Sequence, residues 1–381
     1  MRIGIDIRSL QNDSQLRGIG TYTRCLVQSL LSVDGENEYV FFAFRNWPLP
    51  DLFKEAAGKK AKVSRLTWRK KRFVWLSGQV LFPYAAKKER LDIFYSPEYI
   101  VPVLGGVKKV ITVHDFINRE YDFYRQKSVW LRKAYLRVKD FTLAYADRII
   151  AVSEYTKSRI KEITGIKDER IKVIYEAAEA DYAPKSDEKL FSALRKKYKV
   201  DKEFLLYVGA IDHHKNIEGL LRAFSRIKTK DAALVMIGVK NDPGYFDSII
   251  NLIERLGLKH RVYVLGYIPQ EDLAGFYNMA KGVVCLSFCE GFGLPVLEAM
   301  ACARPVIASG NTSMAEIVGD CGILINPYNL EEITAAMDKV LGDESFRNSL
   351  AEKGFIRSKE FSWEKAARQM MGVWRELEAV H

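Results

Sequence analysis

"GVVCLSFCEGFGLPVLEAM", residues 282–300, joins an apolar run, a loop with two glycines and a second apolar run headed by a proline. The first run lacks polar alternation, as expected of a strand buried on both faces of a parallel sheet. Pro295 suits the first turn of a helix over "PVLEAMACA", because the N–H it lacks would have had no helical partner there. Strand, glycine loop and helix in that order read as one step of a doubly wound α/β fold.

The same alternation runs through the chain. "RIGIDI", "YVFFAF", "DIFYS", "KVITVHD" and "DRIIAVS" are predicted strands in the first half, and "FLLYVGA", "AALVMIG", "VYVLGY", "GVVCLSF" and "PVIAS" in the second. Helical periods separate them, so two doubly wound domains are expected in the 381 residues. The polar stretch "YEAAEADYAPKSDEK", residues 175–189, is the natural joint. The domains are read as 1–182 and 183–361, each with one ligand edge at the carboxyl ends of its strands, and the active site is expected in the cleft between them.

Glu290 falls in the glycine loop and Glu298 in the first helical turn or just beyond. Gly291 and Gly293 let backbone come close to a ligand, and the amides of Gly291, Phe292, Gly293 and Leu294 precede the positive end of a helix. That arrangement seats a phosphate. A carboxylate cannot favour the same phosphate, so the two glutamates are assigned to neighbouring hydroxyl groups, and a ligand carrying both is a sugar nucleotide. The plainer alternative is a kinked loop with one capping and one solvated glutamate.

Other stretches bear on that choice. In "IDHHKN", Lys215 stands between a strand end and a helix, where it is either a point charge for a diphosphate or a solvated side chain. "RGIGTYTRCL" places Gly18 and Gly20 before a helix, a partial glycine motif suited to backbone contact with phosphate. "VITVHD" puts His114 and Asp115 at a ligand edge, in a position that structural histidines also occupy.

Composition excludes other classes. No apolar run reaches the roughly 18 residues of a membrane span, and "MRIGIDIRSL" lacks a signal-peptide core, so a cytoplasmic protein is expected. The five cysteines form no close CxxC pair and read as buried reduced thiols. No DxD-type metal site is evident. The net charge is +11, and residues 54–90 hold twelve lysines and arginines against Glu55 and Glu89, an excess of +10 that implies an anionic partner. Within 66–90, Trp68, Phe73, Trp75, Leu76 and Phe82 are interleaved with Arg69, Lys70, Lys71, Arg72, Lys87, Lys88 and Arg90. Basic residues among large rings suit an anionic membrane surface; the alternative is a helix with an apolar core face and a solvated basic face.

With these residues in view, the chain resembles the retaining glycosyltransferases of family four, which have the GT-B fold. The resemblance covers nearly its whole length and rests first on the E-x7-E motif, Glu290 to Glu298 in "EGFGLPVLEAMACARPVIAS". "RGIGTYTRCL", "TVHDF", "DRIIAVSEYTKSRI", "YVGAIDHHKN", "VLGYIPQEDLAGFYNMA" and "AEIVGDCGILINP" follow the family order.

The resemblance implies that Glu290 touches the donor sugar, Glu298 the ribose, and Lys215 with the 291–294 amides the diphosphate. Ile268 and its neighbours Tyr267 and Pro269 would lie near the base, Gly18 and Gly20 near the pyrophosphate, and His114 against the transferred sugar. Where many relatives have an arginine near the lysine, this chain has Ala210 and His214, and His214 is assigned as a weaker substitute. Residues 1–182 would bind the acceptor and 183–361 the nucleotide sugar, and a C-terminal helix, about 362–381, would return to the first domain. The implied reaction retains anomeric configuration and needs no metal or cofactor, the nucleotide sugar being substrate. GDP-mannose is the favoured donor, with UDP-sugars next, and the acceptor is lipid-linked or an oligosaccharide of cell-surface polysaccharide synthesis, met on the inner face of the membrane. A sugar-nucleotide 2-epimerase of the same fold and a nucleic-acid-binding protein are the alternatives; neither accounts for the carboxylates around the glycine loop.

Overall fold

A computed structural model describes residues 1–12, 15, 18–50, 53, 61–67, 74–98, 101–117 and 129–379. Residues 1–176 and 362–381 form one compact unit and 177–361 the other. Each is an α/β domain built on a wholly parallel sheet.

The first sheet contains β1 (Arg2–Asp6), β2 (Glu38–Phe44), β3 (Ala61–Leu66), β4 (Ile93–Ser96), β5 (Lys108–Val113), β6 (Arg148–Ala151) and β7 (Ile171–Val173), in the order β3-β2-β1-β4-β5-β6-β7. The second contains β8 (Phe204–Val208), β9 (Ala233–Ile237), β10 (Val262–Gly266), β11 (Gly282–Cys285), β12 (Val306–Ser309) and β13 (Ile323–Ile325), in the order β10-β9-β8-β11-β12-β13. In both, the chain builds outward from its first strand in one direction and then returns to pair a later strand on the other side. β1 therefore lies beside β4, and β8 beside β11.

The apolar runs are continuous because both faces are covered. In β8, Phe204 and Leu206 enter one core while Leu205 and Tyr207 enter the other. β9 divides the same way, with Ala233, Val235 and Ile237 opposite Leu234 and Met236. Burying each of these larger side chains contributes roughly 1.5–3 kcal/mol before conformational entropy is counted.

β3, β7 and β13, absent from the predicted strands, are all edge strands. β3 is half-exposed or exposed at every position but Leu66, and β7 and β13 are three residues long, so none shows the apolar signal of a central strand. Gly18 and Gly20 also differ from expectation: they lie inside the first turn of the helix Gly18–Val33, not ahead of it.

The helix Trp363–Glu378 completes the first unit. The Oγ of Ser362 accepts from the Lys365 N–H at 3.1 Å and starts it, while Ala366, Ala367, Met370, Met371, Val373, Trp374 and Leu377 form a buried stripe at helical spacing. The fully buried Trp374 ring meets Tyr39 and Tyr95 edge-on, with centroids 6.3 and 6.1 Å away.

The basic segment is partly accounted for. Trp68, Arg69, Lys70, Lys71, Arg72 and Phe73 lie outside the described residues, as do the side chains of Trp75 and Leu76. Phe82 overturns part of the expectation: it is fully buried against Phe42 and Phe94, so it cannot serve as a membrane-facing ring. Tyr84, 71% exposed, turns outward on the helix Val74–Glu89 that also carries Phe82, and Lys87 and Lys88 are exposed near its end. Among the described residues no helix is long and apolar enough to cross a membrane.

Trp374→Ala is expected to destabilise the first unit by about 3–5 kcal/mol, the usual cost of emptying a buried tryptophan site. Urea denaturation followed by far-ultraviolet circular dichroism checks this; an unshifted midpoint would contradict the packing.

Candidate active site

The reversal of strand order in the second unit brings together two loops far apart in sequence. The loop after β8 carries Asp212, His213, His214 and Lys215, and the loop after β11 carries Ser287, Phe288, Cys289, Glu290, Gly291, Phe292 and Gly293. Phe288 N–H donates to the His214 carbonyl at 2.8 Å and ties them. Open parallel sheets take ligands beyond such a switch point.

There Lys215 Nζ donates to Glu290 Oε2 at 2.5 Å, and Ser287 Oγ donates to the same oxygen at 2.9 Å. Both members of the ion pair are largely buried. Burial alone would push the Glu290 carboxyl up, but the charges of Lys215 and His214 and the hydrogen bonds from Lys215 and Ser287 outweigh it and hold it below the usual value. Glu290 is therefore a carboxylate at neutral pH.

The loop backbone is pinned from behind. Ser313 Oγ donates to the Glu290 carbonyl at 2.8 Å and to the Phe292 carbonyl at 3.0 Å. Gly293 caps the helix Leu294–Ala301 with φ +102°, and a Cβ there would come within 2.8 Å of Met314. Only glycine meets both conditions without strain.

Glu298 is buried within that helix, beyond its first turn, and accepts from the Tyr277 hydroxyl at 2.6 Å. His214 is buried with Nδ1 3.4 Å from Asp212 Oδ1, and Asn241 Nδ2 donates to Asp212 Oδ2 at 3.1 Å. Burial acts to raise Asp212, yet these partners hold it at about 2. Ile268 buries its side chain in the core while Tyr267 before it is exposed. All five cysteines are buried and none is in a disulfide, and burial pushes the Cys285 thiol up to about 12, which removes it as a nucleophile. Among the described residues no cluster of His, Cys, Asp or Glu is arranged to hold a metal ion.

His114, in the first unit, follows β5 and is buried. Its Nε2 donates to the Pro97 carbonyl at 2.9 Å, and its Nδ1 lies 3.2 Å from Glu176 Oε1. Burial lowers its pKa, but the Glu176 hydrogen bond and charge, with the Pro97 carbonyl, raise it overall.

Lys215, Glu290 and the glycine loop are thus assembled at one edge with His214 beside them, and Glu298 lies in the helix that follows. Ser287, Ser313, Tyr277, Asp212 and Glu176 were not legible as partners. Ser287, three residues before Glu290, had a local signal; Ser313 and Tyr277 reach their partners only through the fold.

A group whose folded pKa is raised adds stability below its unfolded value, about 6.5 for histidine, and that stability is lost as pH climbs through the folded value. Urea denaturation from pH 6 to 9 should show a decline in stability that His114→Phe flattens; the same slope in both proteins would rule out the His114–Glu176 pair as its source.

Residues 191–357 match the family model "Glycosyl transferases group 1" and residues 16–182 match "Glycosyltransferase Family 4". The chain is 29% identical to O-antigen chain mannosyltransferase B of Escherichia coli, over 95% of this chain and 97% of that protein. It is 27% identical to the serotype-specific mannosyltransferase WbdA of Escherichia coli, over 96% of this chain but 47% of WbdA, so it spans about half that protein's length. The structure of HepE from Anabaena in complex with UDP-glucose is similar with a TM-score of 0.79 at 19% identity, covering 99% of this chain and 100% of that one. The fold is therefore GT-B, with two Rossmann-like domains.

Proposed function

The chain belongs to the glycosyltransferases that these two models describe, and on that premise we propose that it moves a sugar from a nucleotide-sugar donor to a saccharide or lipid-linked acceptor in cell-surface polysaccharide synthesis. The observation that carries this reading is the Lys215–Glu290 pair at the switch point of the second sheet, beside a glycine loop that heads a helix.

Bond breaking at the anomeric carbon leaves negative charge on the diphosphate and positive charge on the sugar. Lys215 and the 291–294 amides oppose the first, and the Glu290 carboxylate opposes the second. An arriving diphosphate competes with Glu290 for the Lys215 ammonium. As Lys215 turns to the phosphate, Glu290 is released toward the sugar. Glu298, fixed by Tyr277, accepts a ribose hydroxyl. The acceptor hydroxyl attacks from the face the diphosphate leaves, a phosphate oxygen takes its proton, and configuration is retained. Lys215 and the helix end do the work of a cation, so neither metal nor cofactor takes part. The mannosyltransferase relatives favour GDP-mannose; the UDP-glucose bound by HepE keeps UDP-sugars second.

Glu290→Gln is expected to lower turnover by about a hundredfold or more while free nucleoside diphosphate binds nearly as well, because the partner of Glu290 is the transition-state sugar. Lys215→Ala should weaken both, and chelator should leave the wild type active. Radiolabelled donor assays with calorimetry decide this: equal losses in affinity and turnover for Glu290→Gln would sink the assignment, and rescue of a chelated enzyme by magnesium would overturn the electrostatics.

The basic segment suggests that this work is done on the inner face of the membrane, with Tyr84 and the lysines after it as the described outward groups. Wild type should sediment with anionic vesicles at low salt and release at high salt, and changing Arg69, Lys70, Lys71 and Arg72 to Ser should abolish sedimentation. Vesicle binding unchanged in that variant would point to a soluble acceptor.

A further inference from the structure

Ser313 stands at the head of the short helix Met314–Val318, which follows β12, and its buried hydroxyl holds the Glu290 and Phe292 carbonyls of the glycine loop. That hydroxyl is only as well placed as the helix behind it. A helix of five residues is nearly all ends: most of its backbone groups have no internal partner, so it cannot fix its own position. Something outside it must do so.

The guanidinium of Arg357 supplies the anchor. This residue lies on the helix Glu344–Ser358, 40 positions beyond Ile317. Its Nε donates to the Ile317 carbonyl at 2.7 Å, and a terminal nitrogen donates to the Glu316 carbonyl at 2.6 Å. Two donors in one rigid plane set direction as well as distance, which the single ammonium of a lysine cannot. Gly319 ends the short helix with φ +56°, and a Cβ there would already touch the guanidinium carbon at 3.4 Å. The remaining terminal nitrogen lies 3.6 Å from Glu360 Oε2, an ion pair three residues away on a carboxylate open to solvent, which contributes little.

A second route reaches the same loop. The Arg357 guanidinium carbon stands 5.9 Å from the centre of the Phe361 ring, and that ring meets Phe292 edge-on with centroids 6.3 Å apart. Both routes end on residues 290–292, one on the Glu290 and Phe292 carbonyls through Ser313 and the other on the Phe292 side chain. Among the described residues Arg357 makes no hydrogen bond with the loop itself.

We propose that Arg357 is a positioning residue for glycosyl transfer, setting Glu290 and the 291–294 amides through the helix Met314–Val318 and through Phe361. This rests on the glycosyl-transfer reading above. Arg357 touches no substrate. It fixes where Ser313 and Phe292 stand, and a loop left about 1 Å too loose loses its aim at the diphosphate and the sugar.

The test uses the full-length chain with Arg357→Ala, Arg357→Lys, Ser313→Ala and the double variant Ser313→Ala/Arg357→Ala. Amide hydrogen exchange without ligand, read by mass spectrometry, should quicken by about tenfold or more at residues 286–297 in Arg357→Ala, the loss expected for hydrogen bonds from a charged group, while β8 and β9 keep their protection. Turnover of GDP-mannose should fall with it, and millimolar guanidinium should restore part of the Arg357→Ala loss and none of the Ser313→Ala loss. Because both residues act through one helix, the double variant should lose less than the two single losses combined. Arg357→Lys, which keeps the charge but not the paired donors, gives the same reading of exchange if the alanine variant unfolds. Exchange and turnover at wild-type values in the Arg357 variants, or fully additive losses in the double variant, would overturn the proposal. Exchange at 286–297 that depends on Arg357, with no transfer by wild type from any nucleotide sugar, would uphold the hold on the loop and refute glycosyl transfer.

Discussion

Parallel pairing of β8 with β11 is the contact on which the second unit's chemistry depends. Only the reversal of strand order places the loops after these strands side by side, and the hydrogen bond from Phe288 to His214 then holds them in register. Neither loop could arrange its charged group alone. Lys215 ends a single turn of 3-10 helix, and Glu290 sits in irregular chain braced by Ser313. The sheet supplies the rigidity that the loops lack.

The pair formed there is a poor source of stability. Taking an ammonium and a carboxylate out of water costs several kcal/mol per ion by general experience, and their attraction about repays it. Ser287 and the nearby His214 tip the balance enough to keep Glu290 ionised. A pair that is close to break-even can be opened by an arriving anion, whereas an apolar contact of the same size could not respond to charge at all. Behind it, Gly293 and Met314 leave the backbone little freedom, so a ligand meets a loop already shaped.

The first sheet reverses in the same way between β1 and β4 but its edge is wired differently. Arg8 with Asp6 and His114 with Glu176 form two closed pairs, and Tyr22, Tyr95 and Thr112 share hydroxyl hydrogen bonds of 2.7 to 3.0 Å beneath them. The returning helix takes part, since Trp363 meets Tyr22 edge-on with centroids 5.7 Å apart. This unit therefore presents a preset polar surface, where the second presents a charge pair able to open.

The sequence by itself determined the two parallel sheets, because strands buried on both faces must be apolar at every position, and "FLLYVGA" and "KVITVHD" could be little else. It also marked Glu290, Lys215 and the glycine loop, whose spacing is local. Three of the four edge strands were illegible: one exposed face removes the continuous apolar run, as in "AKVSRL", and three residues such as "IKV" are too few to show a period, whereas the edge strand β10 was read as "VYVLGY". Phe82 looked like a surface ring because it lies in a segment with basic runs on either side, yet the fold turned it beneath Arg8. Only tertiary structure decided which side chains meet: Ser313 behind Glu290, Tyr277 on Glu298, and Glu176 against His114. Hydrogen bonds and charge act over a few ångströms of space, and positions about twenty to sixty residues apart in sequence come that close only once the strands and helices between them have packed.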